Sequence, residues 1–227
     1  MAVLFLIRHA VTASTGTRLT GQAPGVHLSQ DGVTQAAGLA ERVRDVPFAA
    51  MYSSPLERCL ETAAPVAAVR RLAVVEEPGV IEVGYGRWTG RPLAQLARTA
   101  LWKRVQRTPG SVRFPGGDTL AEVQRRTVHS LDAIAAQHPR KVIGVVTHAD
   151  VIRLAVAHYA GVHVDLFQRL IVSPASVSVV ALGDGVPRIL RLNDTGSFGD
   201  FRPPVRRRGD PRGLPPRRAS SPRPVRG

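Results

Sequence analysis

The chain has 227 residues, 44% of them apolar and 21% charged, a balance that fits a globular protein with one full hydrophobic core. A single cysteine, Cys59, excludes an intramolecular disulfide framework and a multi-cysteine zinc site. No apolar run approaches the ~18 residues of a membrane span. The net charge of +14 is uneven: from Arg202 to Gly227 there are nine arginines against one acid, Asp210, which leaves +6 for residues 1–201. That last segment also holds seven prolines and almost no large apolar side chain, so it is expected to be a disordered tail after a folded domain of residues 1–201. The domain's own basicity suits an anionic substrate.

The opening run Ala2–Ile7 is continuously apolar and stops at Arg8-His9, the pattern of a strand buried on both faces. It has neither a basic leader nor a small-residue cleavage site, so no secretory signal is expected and the address reads as a reducing cytoplasm. Ser29 is a candidate N-cap for a helix reaching about Arg44. Ala49–Ser53 reads as a short strand, and Pro55 as the first turn of a helix to Val69. Leu72–Glu76 follows as a strand and the glycine-rich Gly79–Pro92 as a loop, before a helical stretch to about Gln106. Gly116-Gly117-Asp118 breaks the chain ahead of a long helix from Thr119 to about His138. Val142–Thr147 is a second buried strand, with a helix over Asp150–Tyr159 after it. Ser176–Leu182 and Arg188–Leu192 flank Gly183-Asp184-Gly185, a hairpin signal. Strand–helix alternation closing in a hairpin predicts an α/β three-layer sandwich, its sheet mixed but mostly parallel and flanked by helices. Ligands in such sheets bind beyond the carboxyl ends of the strands.

Four features fall at such ends or in nearby loops: Arg8-His9, Arg58 early in a helix, Glu82 in the glycine-rich loop, and His148 with Ala149 after the second buried strand. Each alone has an ordinary structural explanation. Together they offer two imidazoles, two guanidiniums and a carboxylic acid. Guanidinium forks match phosphate oxygens, and neutral imidazole is a good nucleophile toward phosphorus.

The chain resembles the histidine phosphatase superfamily, the phosphoglycerate mutase-like proteins. The opening motif stands as Leu6-Ile-Arg-His-Ala-Val-Thr12, followed by Leu28-Ser-Gln-Asp-Gly32 and the Ser-Ser-Pro-Leu-x-Arg-x-x-x-Thr segment at Ser53–Thr62. The acid loop matches Glu82–Gly90, Pro115–Thr119 matches a Pro-Gly-Gly-Glu-Ser motif, and His148 matches the second histidine. Phe167–Val179 is similar to the late segment of a phosphomutase-like branch. By this resemblance His9 is the nucleophile. Arg8, Arg58 and His148 hold the phosphoryl oxygens, with Thr15 and Ala149 also on the phosphate side. Glu82 is the proton donor. The family needs no metal, and the seven histidines show no ligand spacing. The implied partner is a small phosphorylated metabolite, and the implied activity is phosphomonoester hydrolysis through phosphohistidine.

Two alternatives stand beside that reading. One is a phosphomutase of the phosphoglycerate mutase type, for which 2,3-bisphosphoglycerate would be the cofactor. The other is an inactive binder of phosphate ligands or, through the basic tail, of nucleic acid. A homodimer is compatible with either. Three positions depart from the family pattern: Ala10 and Ala149 replace glycines, and Thr15 replaces an asparagine. Alanine disfavours positive φ, so both alanines bear on the backbone of the phosphate pocket. Asp150 is expected to cap the helix from Val151 rather than act as a base. Cys59, Trp88 and Trp102 are expected to pack.

Overall fold

The elements run β1 (Ala2–Arg8), α1 (Gln30–Arg42), β2 (Phe48–Ser53), α2 (Glu57–Val69), β3 (Val74–Glu76), α3 (Leu93–Leu96), α4 (Ala100–Arg107), α5 (Leu120–Gln137), β4 (Val142–Thr147), α6 (Ala149–Tyr159), β5 (Val177–Leu182) and β6 (Arg188–Asp194). The computed structural model describes residues 1–183 and 185–196. The expected tail and the turn residue Asp184 therefore lie outside the described residues.

The strands form one sheet in the order β3-β2-β4-β1-β5-β6. The first four in that order are mutually parallel, whereas β5 is antiparallel to β1 and β6 is antiparallel to β5. The mixed, mostly parallel sheet read from the sequence is what the chain adopts. Its register decides where the chemistry can be. Arg8 pairs with Thr147, and Ser53 pairs with Val146, so β1, β4 and β2 end on one line. The residues that follow these ends are His9, His148 and Ser54.

Side-chain alternation along the strands divides the interior into two layers. Leu4 and Leu6 of β1 join α5 and α6 through Leu131, Ile134, Leu154 and Ala155. Ile7, Met51 and Val146 instead pack against α1 and α2 through Leu39, Ala63 and Val66. Each fully buried Val, Leu, Ile or Met side chain among them stabilises the fold by about 1.5–3 kcal/mol relative to exposure. Helices on both faces of one sheet give the three-layer sandwich.

Several boundaries differ from the sequence reading, for local reasons. Helix α2 starts at Glu57, because Leu56 is still extended at the N-cap position. The expected helix to Gln106 is two helices. Thr99 interrupts it by capping α4, its hydroxyl accepting from Trp102 N at 3.1 Å. The loop Gly79–Pro92 includes the 3₁₀ turn Gly86–Trp88, and a second turn, Pro78–Val80, overlaps its start. Asp150 does not cap α6: the helix begins at Ala149 with His148 at the N-cap position, two residues earlier than a cap at Asp150 would place it.

Helix α5 opens on a reciprocal capping box. Thr119 Oγ1 accepts from Glu122 N at 3.2 Å, and the Glu122 carboxylate accepts from Thr119 N at 2.8 Å. Replacing the hydroxyl leaves an orphan N–H at the helix start. Thr119→Ala should cost about 1 kcal/mol, seen as a melting temperature lowered by roughly 2–4 °C.

Candidate active site

The line of strand ends brings together all five groups singled out in the sequence. His9 leaves β1 with 7% of its surface exposed, and its backbone N–H donates to Thr147 O at 2.9 Å. Its Nδ1 lies 2.7 Å from Ala10 O. A carbonyl only accepts, so Nδ1 carries the proton and Nε2 keeps a free lone pair. Burial, with the cations Arg58 and Arg8 nearby, pushes the His9 pKa down to about 3. The imidazole is therefore neutral near pH 7.

His148 is fully buried, its ring 5.3 Å from that of His9 and inclined by 64°. Arg58 Nη2 approaches its Nδ1 at 3.3 Å. A guanidinium only donates, so Nδ1 is the acceptor and Nε2–H donates to Ser54 Oγ at 2.8 Å. Burial first, then His9 and the arginines, hold His148 well below the usual imidazole range. Cys59 lies under this ring with Sγ 3.5 Å from Nε2, and burial pushes its thiol pKa up. It packs, as expected.

Arg58 is 1% exposed and comes from the first turn of α2. Its Nη2 also donates to Gly21 O at 2.7 Å, whereas Nε and Nη1 find no acceptor among protein atoms. Gly21 sits at φ +53°, and a Cβ there would lie 2.8 Å from the Tyr85 ring and 3.3 Å from Val83 O. Only glycine fits this turn without strain. Arg8 donates through Nη1 to Val172 O at 2.7 Å, and its buried Nε is likewise without a protein acceptor.

Glu82 faces this cationic side of the site. Its Oε2 is 3.8 Å from His148 Nδ1, and its side chain is 12% exposed. Burial first, then the neighbouring Asp150, raise its pKa to about 7 against the opposing pull of Val83 N–H, Arg58 and Arg8. A carboxyl group that holds its proton near neutrality thus faces a neutral imidazole, the arrangement an acid–base pair needs.

Arg126 holds the acid loop in place. From α5, its Nη1 donates to Gly79 O at 2.9 Å and Ile81 O at 2.7 Å, and its Nη2 donates to Glu82 O at 2.8 Å. Gln22 Nε2 adds a bond to Glu82 O at 2.7 Å. Neither residue was singled out in the sequence. Gln22 lies in a turn-rich loop and Arg126 is one of a helical arginine pair, so only the fold distinguishes them. Ser54 stood inside a quoted motif, but its bond to His148 needed the structure.

Thr15 lies in the loop after β1, where its Oγ1 accepts from Thr12 N at 2.9 Å and meets Thr12 Oγ1 at 3.0 Å. Ala149 is the first residue of α6, a helix start without a side-chain cap, which leaves its N–H free of intrahelical bonding. Neither Ala10 nor Ala149 has positive φ. The two alanines therefore bring no backbone strain. Asp150 accepts from Tyr85 OH at 2.8 Å and from Arg153 Nη1 at 2.9 Å. Trp88 is buried against Trp102 and Phe114.

Among the described residues, no group of three or more His, Cys, Asp or Glu side chains is placed to hold a metal ion. No helix among them is long and apolar enough to cross a membrane.

An α/β sandwich with two histidines and two arginines at the carboxyl edge of its parallel strands defines a class. The chain belongs to the histidine phosphatase superfamily (branch 1), whose family model matches residues 4–195. A protein of Hydrogenobacter thermophilus named phosphoserine phosphatase 1 is 30% identical over 206 residues, 88% of this chain and 96% of that one. A protein of Yersinia pestis named probable phosphoglycerate mutase is 31% identical over 137 residues, 59% of this chain and 63% of its own length. Among solved structures, YhfR of Bacillus stearothermophilus superposes with a TM-score of 0.79 at 23% identity, covering 84% of this chain and 96% of that one. That last likeness concerns the fold alone.

The raised Glu82 pKa has a thermodynamic consequence. The folded protein keeps this proton while the unfolded chain loses it near 4.5, so the folded state binds more protons between 4.5 and about 7. This contribution to stability is full below 4.5 and is lost as pH rises through about 7. Glu82→Gln should flatten that fall. At about pH 8 the variant should melt a few degrees above the parent in a thermal scan.

Proposed function

We propose that this chain hydrolyses small phosphomonoesters through a phosphohistidine on His9. The observation that carries the reading is His9 itself: a neutral imidazole whose Nδ1–H is held by Ala10 O and whose ring lies 5.3 Å from that of His148, beside which Glu82 places a carboxyl group that stays protonated to about pH 7. In the first step Nε2 attacks phosphorus and the bond to the leaving oxygen breaks. Glu82 gives its proton to that oxygen. Ala10 O then bears on the cationic phosphoimidazole through the retained Nδ1–H. In the second step the Glu82 carboxylate takes a proton from water, the water oxygen attacks phosphorus, and the N–P bond breaks. His9 returns neutral and phosphate departs.

Positioning and charge stabilisation dominate phosphoryl transfer. Arg8 and Arg58 are the permanent cations here, and the unpaired buried donors of both suit the equatorial oxygens. His148 stays neutral and positions them, its Nδ1 accepting from Arg58 Nη2 and its Nε2–H donating to Ser54 Oγ. The Ala149 N–H at the start of α6 is a further donor. These positive and donor groups supply the charge stabilisation from the protein's own side chains and main chain, which supports a metal-independent reaction. The phosphoserine phosphatase relative supports a small phosphometabolite as the substrate class. The Yersinia relative supports a second reading, transfer back to another hydroxyl of the substrate. Interconversion of 2- and 3-phosphoglycerate stimulated by 2,3-bisphosphoglycerate, with no net release of phosphate, would favour that second reading.

Brief mixing with a labelled phosphomonoester should leave an acid-labile, base-stable label on His9. His9→Ala should remove both label and turnover, and full activity in that variant would overturn the mechanism. Glu82→Gln should slow alkyl esters by roughly 10²–10⁴. Single-turnover phosphorylation by activated aryl esters should suffer less, because their leaving group needs no proton.

A further inference from the structure

The Glu82 carboxyl is scarcely held at its own end. Oε1 accepts one hydrogen bond, from Val83 N at 2.9 Å, and Oε2 lies 3.8 Å from His148 Nδ1, beyond hydrogen-bond reach. Where the carboxyl sits is therefore decided by the main chain that carries it. Four successive carbonyls of that main chain are occupied. Arg126 takes those of Gly79, Ile81 and Glu82, and Gln22 shares the last. The carbonyl between the first two, Val80 O, accepts from Thr147 Oγ1 at 2.6 Å. Thr147 is the buried last residue of β4, so the acid loop is tied to the strand end that leads into His148. Just past the acid, Gly84 O accepts from Asp118 N and Gly84 N donates to Asp118 Oδ2, both at 2.8 Å.

The clamp uses what distinguishes a guanidinium from an ammonium. Arg126 Nη1 serves Gly79 O and Ile81 O, while Nη2 serves Glu82 O. A planar fork presents separate N–H groups in fixed directions, whereas a lysine ammonium is a single point that cannot meet three carbonyls so arranged. Misplacing a reacting group by about 1 Å costs on the order of 10²-fold in rate. For Glu82 that loss falls on one event, delivery of a proton to the leaving oxygen. Activated aryl esters do not need it, because a phenolate departs unprotonated. Alkyl esters do, because an alkoxide is too basic to leave alone.

We infer that Arg126 and Thr147 are positioning residues that set the range of leaving groups: by clamping the Gly79–Glu82 carbonyls they place the acid where alkyl phosphates can use it. The inference rests on the phosphatase reading and deepens it.

Single-turnover phosphorylation of the full chain by ethyl phosphate and by p-nitrophenyl phosphate separates this role from a general structural one. Arg126→Lys keeps the charge and should slow ethyl phosphate by about ten- to a hundredfold, with p-nitrophenyl phosphate changed by less than about threefold. Added to Glu82→Gln, it should slow ethyl phosphate no further, since both changes remove the same proton transfer. Thr147→Val removes the hydroxyl that reaches Val80 O and should show the same selectivity to a smaller degree, whereas Thr147→Ser should behave as the parent. Equal losses for the two esters, or losses in Arg126→Lys and Glu82→Gln that multiply, would overturn the inference. An infrared titration of the Glu82 carboxyl, its band identified by its loss in Glu82→Gln, gives a readout without turnover. The parent band should persist to about pH 7, and in Arg126→Lys it should vanish at lower pH as the loosened carboxyl regains water. An unchanged titration in Arg126→Lys overturns the inference whatever the esters show. Failure of Glu82→Gln itself to separate the two esters would count against the phosphatase reading, and leave the titration to decide this one.

Discussion

Everything in the site is arranged around the Arg58 guanidinium, a permanent positive charge with 1% of the residue exposed. Removing such an ion from water costs several kcal/mol unless its donors are met. The protein meets only part of the demand, through Gly21 O and His148 Nδ1. The remaining buried donors, Nε and Nη1, are complementary to an oxyanion and to little else. Burial above all keeps protons off both imidazoles and the Arg58 charge adds to it, and the same guanidinium holds the loop at Gly21 against α2. The hydroxyl of Thr62 secures α2 in turn: it donates to Arg58 O at 2.7 Å and accepts from Ala10 N at 3.1 Å. The helix that delivers the cation is thereby fixed to the strand end that delivers His9.

The His9 and Glu82 pKa values are driven in opposite directions by their surroundings within one site. Burial and cations lower His9, whereas burial and Asp150 raise Glu82. For an imidazole, desolvation and nearby cations both oppose the charged form. For a carboxyl group they act against each other, and here desolvation outweighs the cations. That outcome depends on where the carboxyl group sits relative to the arginines, and hence on the Arg126 clamp at the loop carbonyls. Arg126 thus has no need to touch a substrate in order to matter to Glu82.

The sheet was legible because its central strands are buried on both faces. Ala2–Ile7 and Val142–Thr147 have unbroken apolar runs that polar edge strands cannot imitate. The less regular parts were not legible. Strand β3 is only Val74–Glu76 at an exposed edge, so neither alternation nor burial marks its limits. The break between α3 and α4 depends on one hydroxyl, that of Thr99, turning back on the chain. In the site, residues that present charge at strand ends could be read from their type and position. Those that hold them could not, because Arg126, Gln22 and Ser54 act through contacts between residues 40 to 100 positions apart. Asp150 looked like a cap because aspartate near a helix start usually is one. Its carboxylate is instead drawn to Tyr85 and Arg153, and the helix N-terminus is left open toward the site.

That open end bears on the two alanines that stand where the family has glycine. A glycine can be required for either of two reasons, a left-handed backbone or the lack of room for a Cβ. The first does not apply, since neither Ala10 nor Ala149 has positive φ. At Ala10 there is also room. The residue is fully buried in the layer shared with Ile7, Cys59 and Val146, where a methyl group adds apolar contact. Its N–H reaches Thr62 and its carbonyl holds His9 Nδ1, which are the two backbone roles the position must fill. At Ala149 the residue opens α6 in ordinary helical geometry, and its N–H is retained. Both substitutions change side chains at positions where the site uses the main chain, and the main-chain groups there stay as the fold places them.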